Sequence, residues 1–243
     1  MIKAIVTGHS RGLGAGVAAA LLRRGAAVLG IARGANGALA AQGMQEVALD
    51  LADAGAVAAW LDSGTLAHFL ADATTAVLVN NAGVVTPVGP PGRQGAGALA
   101  QAVAINVTAA LQLADAFVAA TARCPDRRIV HVSSGAGRHP YAGWSAYCAT
   151  KAALDMHAQA VAQDAVPGLR IASVAPGVID TAMQAHIRGV EQRDFPALAR
   201  FVALRREGGL AAADETGARL VDYLLRAQFG DVVLSDLREL GQG

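Results

Sequence analysis

Seven short apolar runs punctuate the chain: 2–6 (IKAIV), 27–32 (AVLGIA), 45–49 (QEVAL), 76–80 (AVLVN), 128–133 (RIVHVS), 169–174 (LRIASV) and 231–235 (DVVLS). Most are continuously apolar rather than alternating, as expected of strands covered on both faces. Between them lie longer stretches whose apolar residues recur at three- and four-residue steps, such as 14–25, 97–122 and 145–165. That spacing lines one face of a helix. Strands alternating with helices predict an α/β fold in one domain over 1–243, a doubly wound parallel sheet of about seven strands with helices on both faces. Right-handed crossovers would turn the carboxyl ends of the strands toward one crevice, where ligands bind in such sheets.

Two stretches break the rhythm. VVTPVGPPGRQGAG (84–97) is rich in proline and glycine and predicts a loop before a long helix. Residues 178–210 have mixed helical character and follow a Pro-Gly pair. Insertions beyond the carboxyl ends of strands carry substrate contacts, so this region reads as a substrate-binding flap.

Composition narrows the function. With 53% hydrophobic and 16% charged residues, the chain can bury a large core. A net charge of +1 argues against a nucleic-acid partner, whose binding domains carry a clustered basic excess. Cys124 and Cys148 form no CxxC, and the six histidines give no ligand-type pair, so no metal is expected. Unpaired cysteines, no leader-like segment and no run expected to span a bilayer predict a cytoplasmic protein with no membrane partner.

Candidate chemistry starts at VTGHSRGLGAG (6–16), between the first strand and the first helix. Gly8, Gly12 and Gly14 there suit a tight turn that lets a phosphate approach the helix N-terminus, the signature of a dinucleotide-binding (Rossmann) fold. NAD-binding relatives of that fold present a carboxylate at the end of the second strand. Here Ala32 is followed by Arg33, and Arg11 lies inside the turn. Two guanidiniums without the acid point to the 2′-phosphate of NADP(H). Asp50 either receives an adenine amino group or caps a helix. The chain has three tyrosines and two lysines, yet Tyr147 and Lys151 fall four positions apart on a helical pattern. That step stacks a phenol and an ammonium on one face.

Taken together, TGHSRGLG, NNAG (80–83), Asn106, Ser134, YCATK (147–151) and PGVIDT (176–181) resemble the short-chain dehydrogenase/reductase family over nearly the whole chain. The resemblance implies that Tyr147 is the general acid and that Lys151 lowers its pKa and holds the nicotinamide ribose. It implies that Ser134 holds the substrate carbonyl and that Asn106 joins a water-bridged proton relay to Lys151; the alternative for Asn106 is a helix-distorting residue bonded to backbone. It assigns the cofactor to Gly8, Ser10, Arg11, Gly12, Leu13, Gly14, Arg33, Asp50, Asn80, Ala82, Gly83, Tyr147, Lys151, Pro176, Gly177, Val178, Ile179 and Thr181. It also implies a homodimer or homotetramer formed through the long helices at 95–122 and 145–164.

The C-terminal third is similar to the sepiapterin and benzil reductase branch of that family. This implies NADPH-dependent reduction of a small aromatic or vicinal-dicarbonyl compound, with Tyr141, Trp144, Met183 and Asp236 toward the substrate. Tyr141, Trp144 and Tyr147 crowd one short window, either as an aromatic wall beside the carbonyl or as a core anchor. Reduction of a 3-oxoacyl carrier protein is the rival enzymatic expectation, and a silent NADP(H)-sensing regulator the rival from another class.

Overall fold

The computed structural model describes residues 1–240. Its strands are β1 (Ile2–Thr7), β2 (Ala27–Ala32), β3 (Gln45–Ala48), β4 (Thr75–Asn80), β5 (Asp126–Val132), β6 (Leu169–Ala175) and β7 (Leu234–Asp236). They form one sheet in the order β3-β2-β1-β4-β5-β6-β7, with every neighbouring pair parallel. The order reverses between β1 and β4, and this switch point opens the crevice at the carboxyl edge. The last strand begins three residues later than the apolar run predicts, because Asp231 closes a turn on Gln228 and exposes Val232.

Helices α1 (Gly12–Arg23), α2 (Gly37–Ala40), α3 (Ala54–Asp62), α4 (Thr65–Leu70), α5 (Ala96–Val103), α6 (Ala109–Ala120), α7 (Ser145–Gln163), α8 (Ala182–Arg188), α9 (Leu198–Arg206) and α10 (Ala213–Leu225) complete the chain. One apolar layer packs α1 and α10 on the sheet through Val17, Leu21, Leu220, Val221 and Leu224. The opposite layer packs α3, α4, α6 and α7 through Val57, Leu66, Leu113, Phe117 and Ala158. Helices α1 and α10 touch at backbone distance. A Cβ on Gly217 would stand 2.5 Å from the carbonyl carbon of Gly16, and one on Gly16 would stand 2.6 Å from the Ala213 oxygen.

Helices α5 and α6 join through a π-turn, Ala104–Thr108, into one 25-residue helical run, Ala96–Ala120. That run is long and apolar enough to cross a membrane, contrary to the expectation that no such stretch exists. Its apolarity has a place in the fold: Ala109, Leu113 and Phe117 face the sheet. The 178–210 excursion is clasped at its base. Ile179 bridges Ala211, with Asp180 N donating to Ala211 O at 3.0 Å and Ala211 N donating to Val178 O at 3.0 Å. Asp180 also pairs with Arg205 on α9.

Candidate active site

Ser134 follows β5 and caps a short turn, Gly135–Gly137, accepting from Ala136 N at 3.2 Å. The residue before it, Ser133, is 3% exposed, and its hydroxyl has no partner among the described residues. Tyr147 and Lys151 lie on one face of α7, both buried. The turn packs closely on this helix, since a Cβ on Gly137 would stand 2.9 Å from the carbonyl carbon of Lys151. Arg138 and Asp155 lock the contact. Arg138 Nε meets Asp155 Oδ2 at 3.2 Å, its Nη atoms donate to Ser173 O and Ser235 O, and Ser173 Oγ donates to Asp155 Oδ1 at 2.6 Å.

Burial decides the electrostatics. It pushes the Tyr147 phenol up to about 12, and a side-chain hydrogen bond with Ser134 pulls the other way without reversing it. It lowers the Lys151 ammonium to about 8, offset in part by Asp155 one turn further along. The expectation that Lys151 draws the phenol below its ordinary value is therefore reversed in the protein by itself. Lys151 Nζ is 5.8 Å from the Tyr147 ring centroid and donates instead to Val132 O at 2.7 Å. Desolvation outweighs an ammonium at that distance.

Asn106 sits in the π-turn and is almost wholly buried. Its Oδ1 accepts from Val84 N at 2.8 Å, and its Nδ2 donates to Val84 O at 2.8 Å and to Thr150 Oγ1 at 3.0 Å. It thus clamps the strand-like 82–85 segment with both ends of its amide. Oδ1 would lie 3.3 Å from a Cβ on Gly83, and Lys151 Nζ 3.6 Å from the same point. Asn106, Gly83 and Lys151 therefore meet at one spot, and a side chain at residue 83 would fill it.

The glycine turn forms a cradle of backbone. A Cβ on Gly14 would stand 2.2 Å from Gly8 O and 2.5 Å from Asn81 Nδ2, and Gly8 and Gly12 take φ values of +69° and +58°. Arg11 at the N-cap of α1 makes no side-chain cap, and the first turn of α1 has no acid, so its amides stay open to an anion. Thr181 stands across the cradle, its Cγ2 at 3.3 Å from a Cβ on Gly12. Neither Arg11 nor Arg33 makes an ion pair among the described residues, and Arg33 is exposed. These groups fit a dinucleotide pyrophosphate and leave two guanidiniums available beyond it.

A family model for short chain dehydrogenases matches residues 3–192. The chain belongs to this family. It is 35% identical to benzil reductase ((S)-benzoin forming) of Bacillus cereus over 96% of this chain and 98% of that one. It is 34% identical to sepiapterin reductase of Rattus norvegicus over 52% of this chain and 48% of that protein. Among solved structures, a short-chain dehydrogenase/reductase of Burkholderia vietnamiensis is 45% identical, with a TM-score of 0.72 and 98% of each chain covered. The chain is accordingly a nicotinamide-dependent oxidoreductase that reduces carbonyls.

In this short-chain dehydrogenase several other residues expected at the cofactor are tied into the fold by hydrogen bonds. Asn80 Nδ2 donates to Ala110 O at 3.1 Å and meets His131 Nδ1 at 3.2 Å, while Ala82 N donates to Thr7 Oγ1 at 2.9 Å. Asn36 Nδ2 donates to Ser10 O at 3.2 Å, and Leu13, in the first turn of α1, is buried. Asp50 is neither cap nor buried. It turns back on Ala52 N at 3.0 Å, and the cap of α3 falls to Asp53. Pro176 and Gly177 make the turn after β6, with Gly177 at φ +85°.

The aromatic residues near the short-chain dehydrogenase tyrosine form a closed cluster. Trp144 stacks on Phe195 with centroids 4.3 Å apart and meets Tyr147 edge-on at 5.4 Å, while Tyr141 lies 5.3 Å from Trp144. Met183 packs against the same cluster, as does Phe201. Trp144 is thus a core anchor that also backs Tyr147. Asp236 is buried but engaged: it holds Arg238 through two side-chain bonds, which keep its carboxyl below the usual range.

Sequence reasoning missed Phe195 and Phe201, two of the five phenylalanines of the chain, both in the excursion it read as a flap. Their number there was the available signal. It also missed His9, which is buried against Gly30 and meets Glu46 Oε1 at 2.7 Å. Glu46 accepts from Asn36 N as well, and that bond, with His9, keeps its carboxyl low. The pair joins the glycine turn to β3, and no local pattern announces a contact made only in three dimensions.

Proposed function

We propose that the chain is an NADPH-dependent reductase of small aromatic or vicinal-dicarbonyl compounds, with Tyr147 as proton donor, Ser134 holding the carbonyl oxygen and Lys151 and Asn106 supporting them. The observation that carries this reading is the meeting of Ser134, Tyr147 and Lys151 at one buried corner: Tyr147 and Lys151 share a face of α7, and the turn that Ser134 opens packs on that helix at Gly137. Burial keeps the phenol protonated in the protein by itself, so the proton is there to give, and the cation of an oxidised nicotinamide would ease its loss. A bound nicotinamide supplies the hydride. Ser134 Oγ and the Tyr147 hydroxyl converge on the oxygen that gains charge, and a buried setting strengthens both bonds. Lys151, charged below about 8, stands one turn behind and can reload the phenol. The Asn106 clamp on Val84 keeps the floor beside Lys151 open at Gly83.

Arg33 and Arg11 favour NADPH over NADH, because a 2′-phosphate can accept from both guanidiniums. Substrate class follows the benzil reductase likeness over almost the full chain, and the half-buried Tyr141, backed by the buried Trp144, offers an aromatic ring a face to lie on. Two free cysteines suit a reducing cytoplasm. Exposed Val103 on α5 and Met156 on α7 suit self-association across those helices.

Loss of reduced-nicotinamide absorbance with benzil, sepiapterin and an acetoacetyl thioester tests the reading, beside a Tyr147→Phe variant. Turnover of benzil or sepiapterin that vanishes in the variant is the expected result. Thioester turnover alone would move the assignment to 3-oxoacyl reduction, and NADPH binding without any turnover would overturn the catalytic reading.

A further inference from the structure

We infer that Arg238 is a second recognition point of this site, selecting carbonyl substrates that carry another acceptor oxygen, a carboxylate or a second carbonyl, beside the reacting one. The inference rests on the carbonyl-reductase reading and adds to it a residue outside the expected set.

Strand register fixes where Arg238 stands. Val132 pairs with Val174, and Ala175 pairs with Asp236. Ser134, Gly177 and Arg238 therefore emerge side by side from three adjacent strands at the carboxyl edge. Neighbouring strands lie about 4.8 Å apart, so Ser134 and Arg238 are separated by about 10 Å of backbone. The arginine side chain shortens that gap. Its Cδ and Cγ would be 3.5 and 3.6 Å from a Cβ on Gly177, so it lies flat across the glycine. The contact is an ordinary van der Waals one, and it is the φ of +85° at Gly177 that calls for glycine. Across Gly177 lies the turn beginning at Ser134, whose loop carries Tyr141. The phenol of Tyr141 is near enough to act on the Arg238 charge.

The guanidinium is oriented rather than loose. Asp236 Oδ1 accepts from Arg238 N and Nε at 2.9 Å each, and Oδ2 accepts from Nη2 at 2.6 Å. A guanidinium has five N–H donors in a rigid fork. Asp236 takes one edge, and Nη1 has no partner among the described residues. The side chain is 64% exposed and lies over Gly177, so this second edge is open to solvent at the carboxyl edge of the sheet. Arg200 adds a second donor on the far side of Tyr141, its Nη1 reaching the phenol oxygen at 3.1 Å.

This arrangement changes the part of Asp236. Both of its oxygens already accept from Arg238, which leaves at most one lone pair for a ring nitrogen donor. The group presented to a ligand is a donor fork, which wants oxygen. Because Asp236 and Glu239 both act on the Arg238 charge, recognition relies on directed hydrogen bonds as much as on net charge. A neutral second carbonyl and a carboxylate both qualify.

The test compares three phenyl ketones differing only beside the carbonyl: a methyl ketone, a vicinal diketone and a 2-oxo acid. Steady-state kcat/KM is measured with NADPH for wild type, Arg238→Met and Arg238→Lys. Methionine is expected to lower kcat/KM for the diketone and the oxo acid by about 10- to 100-fold, the span of a hydrogen bond to a charged group, and to spare the methyl ketone. Lysine is expected to recover part of the oxo-acid activity and little of the diketone activity, since it lacks the fork. Equal losses on all three ketones, or none, would overturn the inference while leaving the reductase reading intact. A wild type inactive on all three would remove both.

Discussion

Replacing Lys151 by methionine keeps the length of the side chain and removes its charge. Burial lowers this ammonium from its ordinary 10.5 to about 8. One pKa unit corresponds to about 1.4 kcal/mol, so keeping the charge inside the fold costs roughly 3 kcal/mol. The sign of the pH dependence follows from proton counting. Below about 8 folded and unfolded chains both hold the proton and the cost is present in full. Between that value and 10.5 the folded lysine is neutral while the unfolded one is charged, so raising the pH stabilises the wild type. Methionine has no such term. Thermal unfolding of both proteins at pH 7 and pH 10, without nicotinamide, isolates it. The groups near Lys151 are Tyr147 and Asp155 on α7, His131 on β5 and Asn106 on the π-turn, and they are unchanged between the two proteins. The Val132 carbonyl that loses its donor adds an offset common to both pH values. The wild type should gain on the variant by roughly 2–3 kcal/mol between the two pH values, or about 5–10 °C in Tm. Two melting curves that move in parallel would refute the claim that Lys151 is held charged against burial.

Gly217→Ala should destabilise the protein by about 1–3 kcal/mol in urea unfolding, because the added methyl meets the backbone of Gly16 and only a shift of α10 relieves it. Arg33→Asp should raise KM for NADPH by about 10- to 100-fold while improving NADH, read from kcat/KM with the two cofactors. Phe195→Ala removes a fully buried ring stacked on Trp144 and should cost about 3–5 kcal/mol; a change in KM larger than that in kcat would locate its influence at the wall rather than at Tyr147.

What the sequence disclosed divides along a physical line. Continuous apolar runs found six strands nearly to the residue; in β1, β2, β4, β5 and β6 burial on both faces leaves little choice of side chain, while β3, at the other edge, is only partly covered. The seventh, an edge strand pairing three residues with β6, lay in a run that a turn at Gln228–Asp231 shortens. Tyr147 and Lys151 were legible as a pair because helix geometry converts spacing into proximity. The direction of their titration was not, since burial is set by residues far away in the chain. Asn106 was legible as costly; that it clamps Val84 from a π-turn depends on a segment more than twenty positions upstream. Arg238 was hidden for the same reason: its place over Gly177 exists only through the register of β6 and β7.

Helix α1 carries the glycine cradle at its first turn, yet the surface that finishes burying its apolar side is α10. On a ribosome, Val17 and Leu21 emerge near the start of synthesis and their partners Leu220, Val221 and Leu224 near its end. Through that interval the nascent chain holds an exposed apolar helix beside a half-built nucleotide turn. The apolar stripe of α1 thus stays uncovered until α10 docks, so the last helix to be made completes the seating of the first.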